Sequence, residues 1–211
     1  MGYWEIPKLW DKEPCFILGG GPSLAKAPIG KLFERNVVAV NNAYLRCPWA
    51  IAVYFQDCKW YHEALDAYTV TTHREALREF KGFKVTTCLN SEEPDGSVKI
   101  LLRGGRLGLS LERDRVNGNN SGYGAIDLAM KFGASPIILL GFDMRMVNGK
   151  HNYHDGHRRA VGSGVYANQF IPALRTIPKA VKKLDLGVEI INCTPDSELD
   201  CFPMGRIEDY L

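Results

Sequence analysis

Short, continuously apolar runs that end in glycine or small polar residues constrain this chain more than any other feature. A strand with one face in water alternates apolar and polar residues, whereas a strand covered on both faces is apolar throughout, as in parallel α/β sheets. The six runs, in chain order, are residues 15–18, 37–40, 50–54, 84–88, 137–140 and 188–192. They predict one Rossmann-like α/β domain over residues 1–211, with a mostly parallel sheet of six to seven strands flanked by helices.

Helical patterns lie between these runs. Residues 121–132 carry closely spaced apolar side chains and are followed by Gly133, a natural C-terminal stop. From Phe170 to Leu184, apolar residues recur at steps of three and four, which defines one face of a helix. Pro172 and Pro178 are expected to bend this helix, and they leave its first residue undetermined.

Residues 90–120 differ from the rest of the chain. They are rich in glycine, serine and charged residues and contain one short apolar piece at 98–102. A long irregular segment in a compact domain is usually functional or disordered. We therefore expect a small flap or hairpin that leaves the sheet.

Composition excludes several classes of protein. The 211 residues are 45% hydrophobic and 24% charged with a net charge of +2, which gives no basic field for bulk nucleic-acid binding. No apolar run nears the roughly 20 residues that span a bilayer, and the first residues lack a signal-peptide pattern, so no membrane partner is expected.

The six cysteines show no CxxC spacing. Cys15, Cys88 and Cys193 lie in or beside predicted strands and are expected to be buried thiols in a reducing cytoplasm.

The first predicted strand ends in a glycine loop, Gly19-Gly20-Gly21-Pro22-Ser23. Glycines permit a tight turn and close approach to a ligand, and the N-terminus of a following helix attracts anions. Ser23 is suited to cap that helix and to donate to a phosphate. The loop lacks the Lys-Ser/Thr of a P-loop and the GxGxxG spacing, so a plain turn is the competing interpretation. Its position after the first strand favours a nucleotide-phosphate site.

Small polar residues follow the other predicted strands and open the 121–132 helix. Parallel strands bring their carboxyl ends to one edge of the sheet, so these residues are expected to share one crevice with the glycine loop. Turn residues and helix caps are the competing interpretation. Beyond the loop, the predicted nucleotide-binding residues are Asn41, Asn42, Gln56, Asp57, Asn120, Ser121, Gly122, Gly141 and Ser197.

The segment from His151 to Arg159 holds three of the five histidines within seven residues. Histidine is the natural general base near neutral pH, and arginines neutralise phosphate. The predicted catalytic residues are His154, His157 and Asp143, and the predicted phosphate or substrate contacts are His151, Tyr153, Arg158 and Arg159. The residues leave open which histidine is the base. They also leave open a divalent-ion site made by Asp143, Asp155 and two histidines, and a solvated loop.

The order of these motifs resembles the bacterial sialyltransferases of glycosyltransferase family 42. The resemblance is carried by the glycine loop with Leu24, by Val40-Asn41-Asn42, by Asn120-Ser121-Gly122, by residues 140–143 and by residues 192–197. The Gly-Pro-Ser-Leu element is also similar to archaeal-type hydroxymethylpterin pyrophosphokinases and flagellin-modifying proteins. The histidine-rich segment and the late Asn-Cys-Thr-Pro look like bacteriophage proteins that are labelled morphogenetic.

The sialyltransferase resemblance implies a single Rossmann-like domain, a CMP-sugar or similar donor, and inverting transfer by a histidine base without an essential metal or cofactor. It places donor phosphate and ribose on Gly20, Gly21, Pro22 and Ser23, and the nucleotide on Asn41. The family's Gly-Asn-Gly loop is Gly-Gly-Gly here, which removes one donor contact, and the lid region is reduced. A phage origin would place the protein in the host cytoplasm.

Two other functions compete with this hypothesis. The first is a pyrophosphokinase or other phosphotransferase that needs Mg²⁺, held by carboxylates such as those of Asp57 or Asp143. The second is a non-catalytic, nucleotide-binding assembly protein that keeps the crevice. The sequence names neither the acceptor nor the oligomeric state.

Overall fold

The structure, a computed structural model, describes residues 2–65, 71–91, 96–154, 162 and 164–211, except for the side chains of residues 64, 65 and 71–74. The strands in this part of the chain are β1 (Glu13–Leu18), β2 (Asn36–Val40), β3 (Ala52–Phe55), β4 (Phe83–Thr86), β5 (Val98–Ile100), β6 (Leu102–Arg103), β7 (Arg115–Val116), β8 (Ala134–Leu140) and β9 (Ile190–Asn192). The α-helices are α1 (Cys58–Leu65), α2 (Thr71–Glu79), α3 (Ser121–Phe132), α4 (Ile171–Leu174) and α5 (Ile177–Lys183). Short 3-10 helices span Pro22–Lys26, Ile29–Leu32, Asn41–Arg46, Leu89–Ser91 and Ile207–Tyr210, and a π-helix spans Tyr166–Phe170.

Seven strands form one parallel sheet in the order β5-β4-β3-β2-β1-β8-β9. All six predicted runs contribute a strand, and the predicted parallel α/β fold is confirmed. The chain builds one half of the sheet from β1 to β5 and then returns to the other side of β1 with β8. The carboxyl ends of β1 and β8 therefore form the switch point at which ligands bind in open α/β sheets.

The sheet is covered on both faces, which explains why its strands are apolar throughout. Along β1, Cys15 and Ile17 pack in a core cluster that contains α3, whereas Phe16 and Leu18 pack in a second cluster on the opposite face. All four of these side chains are fully buried. Successive residues of a strand point to opposite faces, so both faces require apolar residues here.

Helix α3 begins and ends where its sequence predicts. The Asn120 side chain accepts a hydrogen bond from the Tyr123 N–H, which is an N-cap, and Gly133 ends the helix in the left-handed conformation at φ 99°. The buried Asp127 of α3 accepts hydrogen bonds from Lys131 Nζ and from the Asn117 N–H. The Asn117 bond joins α3 to the segment that leads into it, whereas the Lys131 bond lies within the helix.

The helix predicted between Phe170 and Leu184 is divided into the π-helix, α4 and α5. Pro172 and Pro178 each occupy one of the first two positions of a helix, α4 and α5 respectively. A proline lacks the N–H that would continue a preceding helix and its fixed φ suits a first turn. The structure therefore divides this helical stretch into short helices, and α4 and α5 each have a proline in the first turn.

The segment predicted to leave the sheet does so only in part. Residues 98–100 form β5, which pairs with β4 as an edge strand of the main sheet, so their assignment to a flap is wrong. β6 and β7 pair in parallel as a separate two-stranded sheet. A hairpin requires antiparallel strands, so the small excursion is not a hairpin.

Cys58 and Cys88 form a disulfide with a Cα–Cα distance of 5.4 Å. The expectation that Cys88 is a free thiol is therefore wrong, whereas Cys15 and Cys193 are free and buried as predicted. The bond connects the start of α1 to the segment after β4. Disulfides are uncommon in the cytosol, so the cytoplasmic location stays a prediction that this bond does not support. Within the described ranges, the helices are too short or too polar to cross a membrane.

Candidate functional site

A cavity of about 620 Å³ opens at the carboxyl ends of β1, β2, β3 and β8. Most of the predicted nucleotide-binding residues line it, as do two of the predicted histidines. The predicted residues in its wall are Gly19, Gly20, Gly21, Asn41, Asn42, Gln56, Asp57, Asn120, Ser121, Gly122, Gly141, Asp143, His151 and His154. The structure therefore brings together residues that are up to 135 positions apart, from 19 to 154.

The glycine loop forms one wall of this cavity, but most of its N–H groups are bonded within the protein. Gly19 donates to the Leu140 carbonyl and Gly21 to the Gly141 carbonyl. The Ser23 N–H donates to Asp143, and Leu24 donates back to Gly21. The helix that follows is a 3-10 helix of five residues, not an α-helix. The predicted phosphate site on this loop stays a prediction, which the internal hydrogen bonds of Gly19, Gly21 and Ser23 do not support.

Asp143 holds the glycine loop in place. Its Oδ1 accepts from the Ser23 N–H at 3.0 Å, and its Oδ2 accepts from Ser23 Oγ at 2.8 Å. A Cβ on Gly21 would lie 2.0 Å from Oδ2, so the carboxylate can approach only a glycine. Burial raises the pKa of Asp143 above its ordinary value, and the Ser23 bonds oppose that shift. Both oxygens are thus occupied by the loop, which favours a positioning role over the predicted catalytic or metal-binding roles.

Two amide oxygens in the cavity wall are buried without a hydrogen-bond partner among the described residues. They are Oδ1 of Asn41 and Oε1 of Gln56. The other side of the Gln56 amide is fixed, because Nε2 donates to the Gly118 carbonyl at 3.0 Å. Asn41 follows β2 at φ 50°, a left-handed conformation that costs free energy and that clusters at functional sites. An unpaired buried acceptor is also costly, so both atoms indicate a ligand that donates hydrogen bonds.

The N-terminus of α3 forms another part of the cavity wall. The first N–H groups of an α-helix have no partner within the helix. In α3, the Tyr123 N–H donates to the Asn120 side chain, and the Gly124 N–H donates to the Asn120 carbonyl. Ser121 and Gly122, the first two residues of the helix, line the cavity. This 12-residue helix therefore presents backbone donors and a positive dipole end to the cavity.

The histidine-rich segment lies across the glycine loop. The Tyr153 N–H donates to the Gly20 carbonyl, and the Tyr153 hydroxyl donates to the Asn42 carbonyl at 2.6 Å. His151 Nδ1 lies 3.3 Å from the Tyr166 hydroxyl. His157, Arg158, Arg159 and Asp155 lie outside the described residues, so their predicted roles stay predictions.

Some predicted site residues do not line the cavity. The Ser197 hydroxyl donates to the Phe142 carbonyl at 2.6 Å and accepts from the Leu199 N–H, so it braces the turn after β8. Pro22, Ser23 and Tyr153 are likewise absent from the cavity wall. The hydroxyl groups of Ser23, Tyr153 and Ser197 make hydrogen bonds within the protein, and the predicted ligand contacts of all four residues stay predictions.

Three cations in the cavity wall are absent from the sequence prediction: Lys59, Arg103 and Arg145. Arg145 follows β8, and its buried Nε has no hydrogen-bond partner among the described residues. Its guanidinium lies 4.0 Å from the exposed Asp196 carboxylate, a weak contact. Arg145 lies two residues after Asp143, the last residue of the Gly141-Phe142-Asp143 motif. This closeness to a predicted site residue is the one sequence signal for Arg145. Arg103 and the aromatic Tyr166 carry no such signal.

The predicted alternatives include a divalent-ion site in this cavity. Among the described residues, no group of three or more histidine, cysteine, aspartate or glutamate side chains is arranged to hold a metal ion. Asp143 is bonded to Ser23, and Asp57 Oδ1 accepts from the Lys59 N–H at 2.9 Å. The carboxylates named for a magnesium site thus serve other contacts.

No family model matches this chain, and no curated protein matches it in sequence. A solved structure, that of MAf glycosyltransferase from Magnetospirillum magneticum AMB-1, has a similar fold, with a TM-score of 0.57 and 12% sequence identity. The match covers 97% of this chain and 35% of that one, so this chain spans about a third of the length of the larger protein. At this identity the similarity shows the fold: a glycosyltransferase-like α/β fold with a parallel sheet.

Proposed function

We propose that this chain is a nucleotide-sugar-dependent glycosyltransferase. The observation that carries the proposal is that one cavity contains both unpartnered hydrogen-bond acceptors and groups that bind anions. Unpartnered acceptors, Asn41 Oδ1 and Gln56 Oε1, lie in a wall that also contains the α3 N-terminus and Arg145. Acceptors bind the hydroxyl and amino groups of a nucleoside, whereas helix N–H groups and guanidinium bind phosphate.

The donor is proposed to be a CMP-sugar or a similar activated sugar. The exocyclic amine of cytosine and the ribose hydroxyls are donors that match the two free acceptors. The sialyltransferase resemblance and the glycosyltransferase with a similar fold both support this substrate class. Transfer is proposed to be inverting, with a histidine base chosen from His154 and His157 and with the leaving phosphate held by α3 and Arg145.

Ligand-induced thermal stabilisation tests the binding half of this proposal. A ligand that binds only the folded state raises the melting temperature, so CMP, CDP, UDP, GDP and ATP are compared with and without Mg²⁺. We expect stabilisation by CMP or CDP that does not require Mg²⁺. Gln56→Leu removes one free acceptor and should weaken it, whereas Arg206→Gln, which changes a cation outside the cavity, should not. Stabilisation by ATP with an absolute Mg²⁺ requirement would instead support a phosphotransferase.

Donor hydrolysis tests the catalytic half. Release of CMP from a CMP-sugar is measured for the unchanged protein and for single substitutions of His154 and His157. Loss of a general base typically lowers the rate by about 10²–10⁴-fold. If neither substitution lowers hydrolysis or transfer, the histidine mechanism is wrong. Binding of CMP without any turnover would indicate a nucleotide-binding protein that is not an enzyme.

A further inference from the structure

The disulfide between Cys58 and Cys88 is attached to a part of the chain that forms the cavity wall. Cys58 is the first residue of α1, and the residues on either side of it, Asp57 and Lys59, both line the cavity. Cys88 lies between β4 and the 3-10 helix Leu89–Ser91, in a segment that does not line the cavity. The bond therefore ties the cavity-lining end of α1 to a segment outside the cavity.

The start of α1 depends on tertiary contacts for its position. The helix has 8 residues, and isolated helices shorter than about 12–15 residues are marginal in water. Later in α1, Trp60 and Tyr61 pack against Phe55, with ring centroids 4.8 and 5.2 Å away. The Lys59 N–H donates to the Asp57 carboxylate, a local bond that does not anchor the helix to the sheet. The disulfide supplies an anchor at the first residue of the helix.

The two sulfurs differ in their access to a reductant. Cys58 is partly exposed, whereas Cys88 exposes only 3% of its surface. Thiol–disulfide exchange requires a thiolate to reach one of the sulfurs, so the attack falls on Cys58. Near Cys88, the Ser91 N–H donates to the Cys88 carbonyl, and the buried Ser91 hydroxyl has no hydrogen-bond partner among the described residues. Unpaired buried polar groups are uncommon, and redox sites are one place where they occur.

We propose that the disulfide is a thiol-exchange site at which a dithiol reductant releases the start of α1 and so removes Lys59 from the cavity wall. A thiolate of the reductant bonds to Cys58 Sγ, and the bond between the two sulfurs breaks with its electron pair on Cys88 Sγ, which takes up a proton. The second thiol of the reductant then displaces Cys58, so the reductant becomes a disulfide and the protein gains two electrons and two protons. The identity of the ligand in the cavity rests on the proposed function, but the exchange does not.

Reduction should act on the α1 side of the cavity and leave the α3 side unchanged. Gln56, two residues before Cys58, is held by α3 and by the segment before it. Its N–H donates to Ser121 Oγ, and its Nε2 donates to the Gly118 carbonyl. Neither bond involves α1. Lys59 carries a positive charge that attracts phosphate, so its release weakens binding of a phosphate ligand without dismantling the cavity.

Alkylation of the folded protein measures the exchange. The protein is incubated with increasing dithiothreitol, treated with iodoacetamide and digested, and the labelled cysteine peptides are quantified by mass spectrometry. We expect Cys58 and Cys88 to become labelled as dithiothreitol increases. The buried, free Cys15 and Cys47 should stay unlabelled, which shows that the protein is still folded. If Cys58 and Cys88 are labelled only in urea, together with Cys15 and Cys47, the proposal is overturned.

Hydrogen exchange measures the release of α1. The amides of residues 58–65 should exchange faster in the reduced protein, whereas those of α3 should not change. The double variant Cys58→Ser, Cys88→Ser should give the same pattern without a reductant. Cys201→Ser, which changes a free and partly exposed cysteine, is the matched control and should exchange like the unchanged oxidised protein. Equal exchange of α1 in the oxidised and reduced unchanged protein overturns the release of the helix, whatever the variants do.

Calorimetric titration with CMP measures the effect on the cavity. Reduction should weaken CMP binding about tenfold, as expected for the loss of one contact to a charged group. Lys59→Met should weaken binding to the oxidised protein by a similar factor, and reduction should then have no further effect, because the same contact is lost only once. Equal affinities of the oxidised and reduced protein, or a full effect of reduction in Lys59→Met, would overturn the role of Lys59. If CMP does not bind the oxidised protein, the proposed function fails, while alkylation and hydrogen exchange still decide the exchange and the release of α1.

Discussion

The glycine loop and the N-terminus of α3 both line the cavity, and both have the sequence features of an anion site. In the loop, the N–H groups of Gly19, Gly21 and Ser23 donate to other parts of the protein. At α3, Asn120 caps one N–H group, and Ser121 and Gly122 remain at the cavity. The difference shows that glycines after a strand indicate a close approach of chain segments, whereas anion binding also requires donors without an internal acceptor.

The largest expected effect on stability comes from a substitution that disturbs the glycine loop and leaves α3 unchanged. In Gly21→Ala, the new Cβ lies 2.0 Å from Asp143 Oδ2 and 2.6 Å from the Gly141 carbonyl oxygen, so the loop must move. We expect the free energy of unfolding to fall by about 3 kcal/mol, measured by urea denaturation. Gly30→Ala is the matched control, because nothing lies within 4 Å of its Cβ. Equal stability of the two variants would contradict the tight packing of this loop.

The second prediction concerns the carboxylate that organises the loop. Asp143→Asn places an NH₂ group opposite Ser23 Oγ, which then has to accept instead of donate, and it replaces two hydrogen bonds to a charged group by weaker neutral ones. We expect a loss of about 2 kcal/mol in unfolding free energy, together with weaker CMP binding in a calorimetric titration. A variant with unchanged stability and binding but no turnover would restore Asp143 to the catalytic role.

The third prediction tests whether the N-terminus of α3 binds the ligand, by removing one backbone N–H group. Ser121→Pro removes that N–H at the first position of α3, where proline is tolerated, and the extended Asn120 is compatible with a following proline. We expect CMP affinity to fall about tenfold relative to Ser121→Ala, about 1.4 kcal/mol, since both variants lack the hydroxyl that accepts from the Gln56 N–H. Equal affinities would move the phosphate away from α3.

The smallest expected effect concerns the cap of the same helix. Asn120→Ala removes the acceptor for the Tyr123 N–H, and caps of this kind contribute about 1 kcal/mol. Thermal unfolding should therefore show a modest loss of stability. CMP affinity should change less than in Ser121→Pro, because the two N–H groups at the cavity remain. A larger loss of affinity than in Ser121→Pro would show that the cap, not those N–H groups, contacts the ligand.

Local signals in the sequence determined much of this protein's architecture. Six apolar runs predicted the parallel sheet because a strand buried on both faces has little room for polar side chains. Asn120 and Gly133 predicted the ends of α3 because capping depends only on residues close in sequence. Since strand ends meet at one edge of the sheet, the positions of Asn41, Gln56 and Ser121 around a common cavity followed from the same pattern.

Tertiary structure decided which polar groups in that cavity are available to a ligand. The N–H groups of Gly19, Gly21 and Ser23 in the glycine loop donate to distant acceptors, and for Ser23 this is Asp143, which lies 120 residues away. The Asn42 side-chain oxygen accepts from Nε1 of Trp60, 18 residues further on. Arg145 enters the cavity wall, and Cys58 meets Cys88, through packing of distant segments. A sequence pattern places donors and acceptors near one another, but each one's partner depends on contacts between residues far apart in the chain.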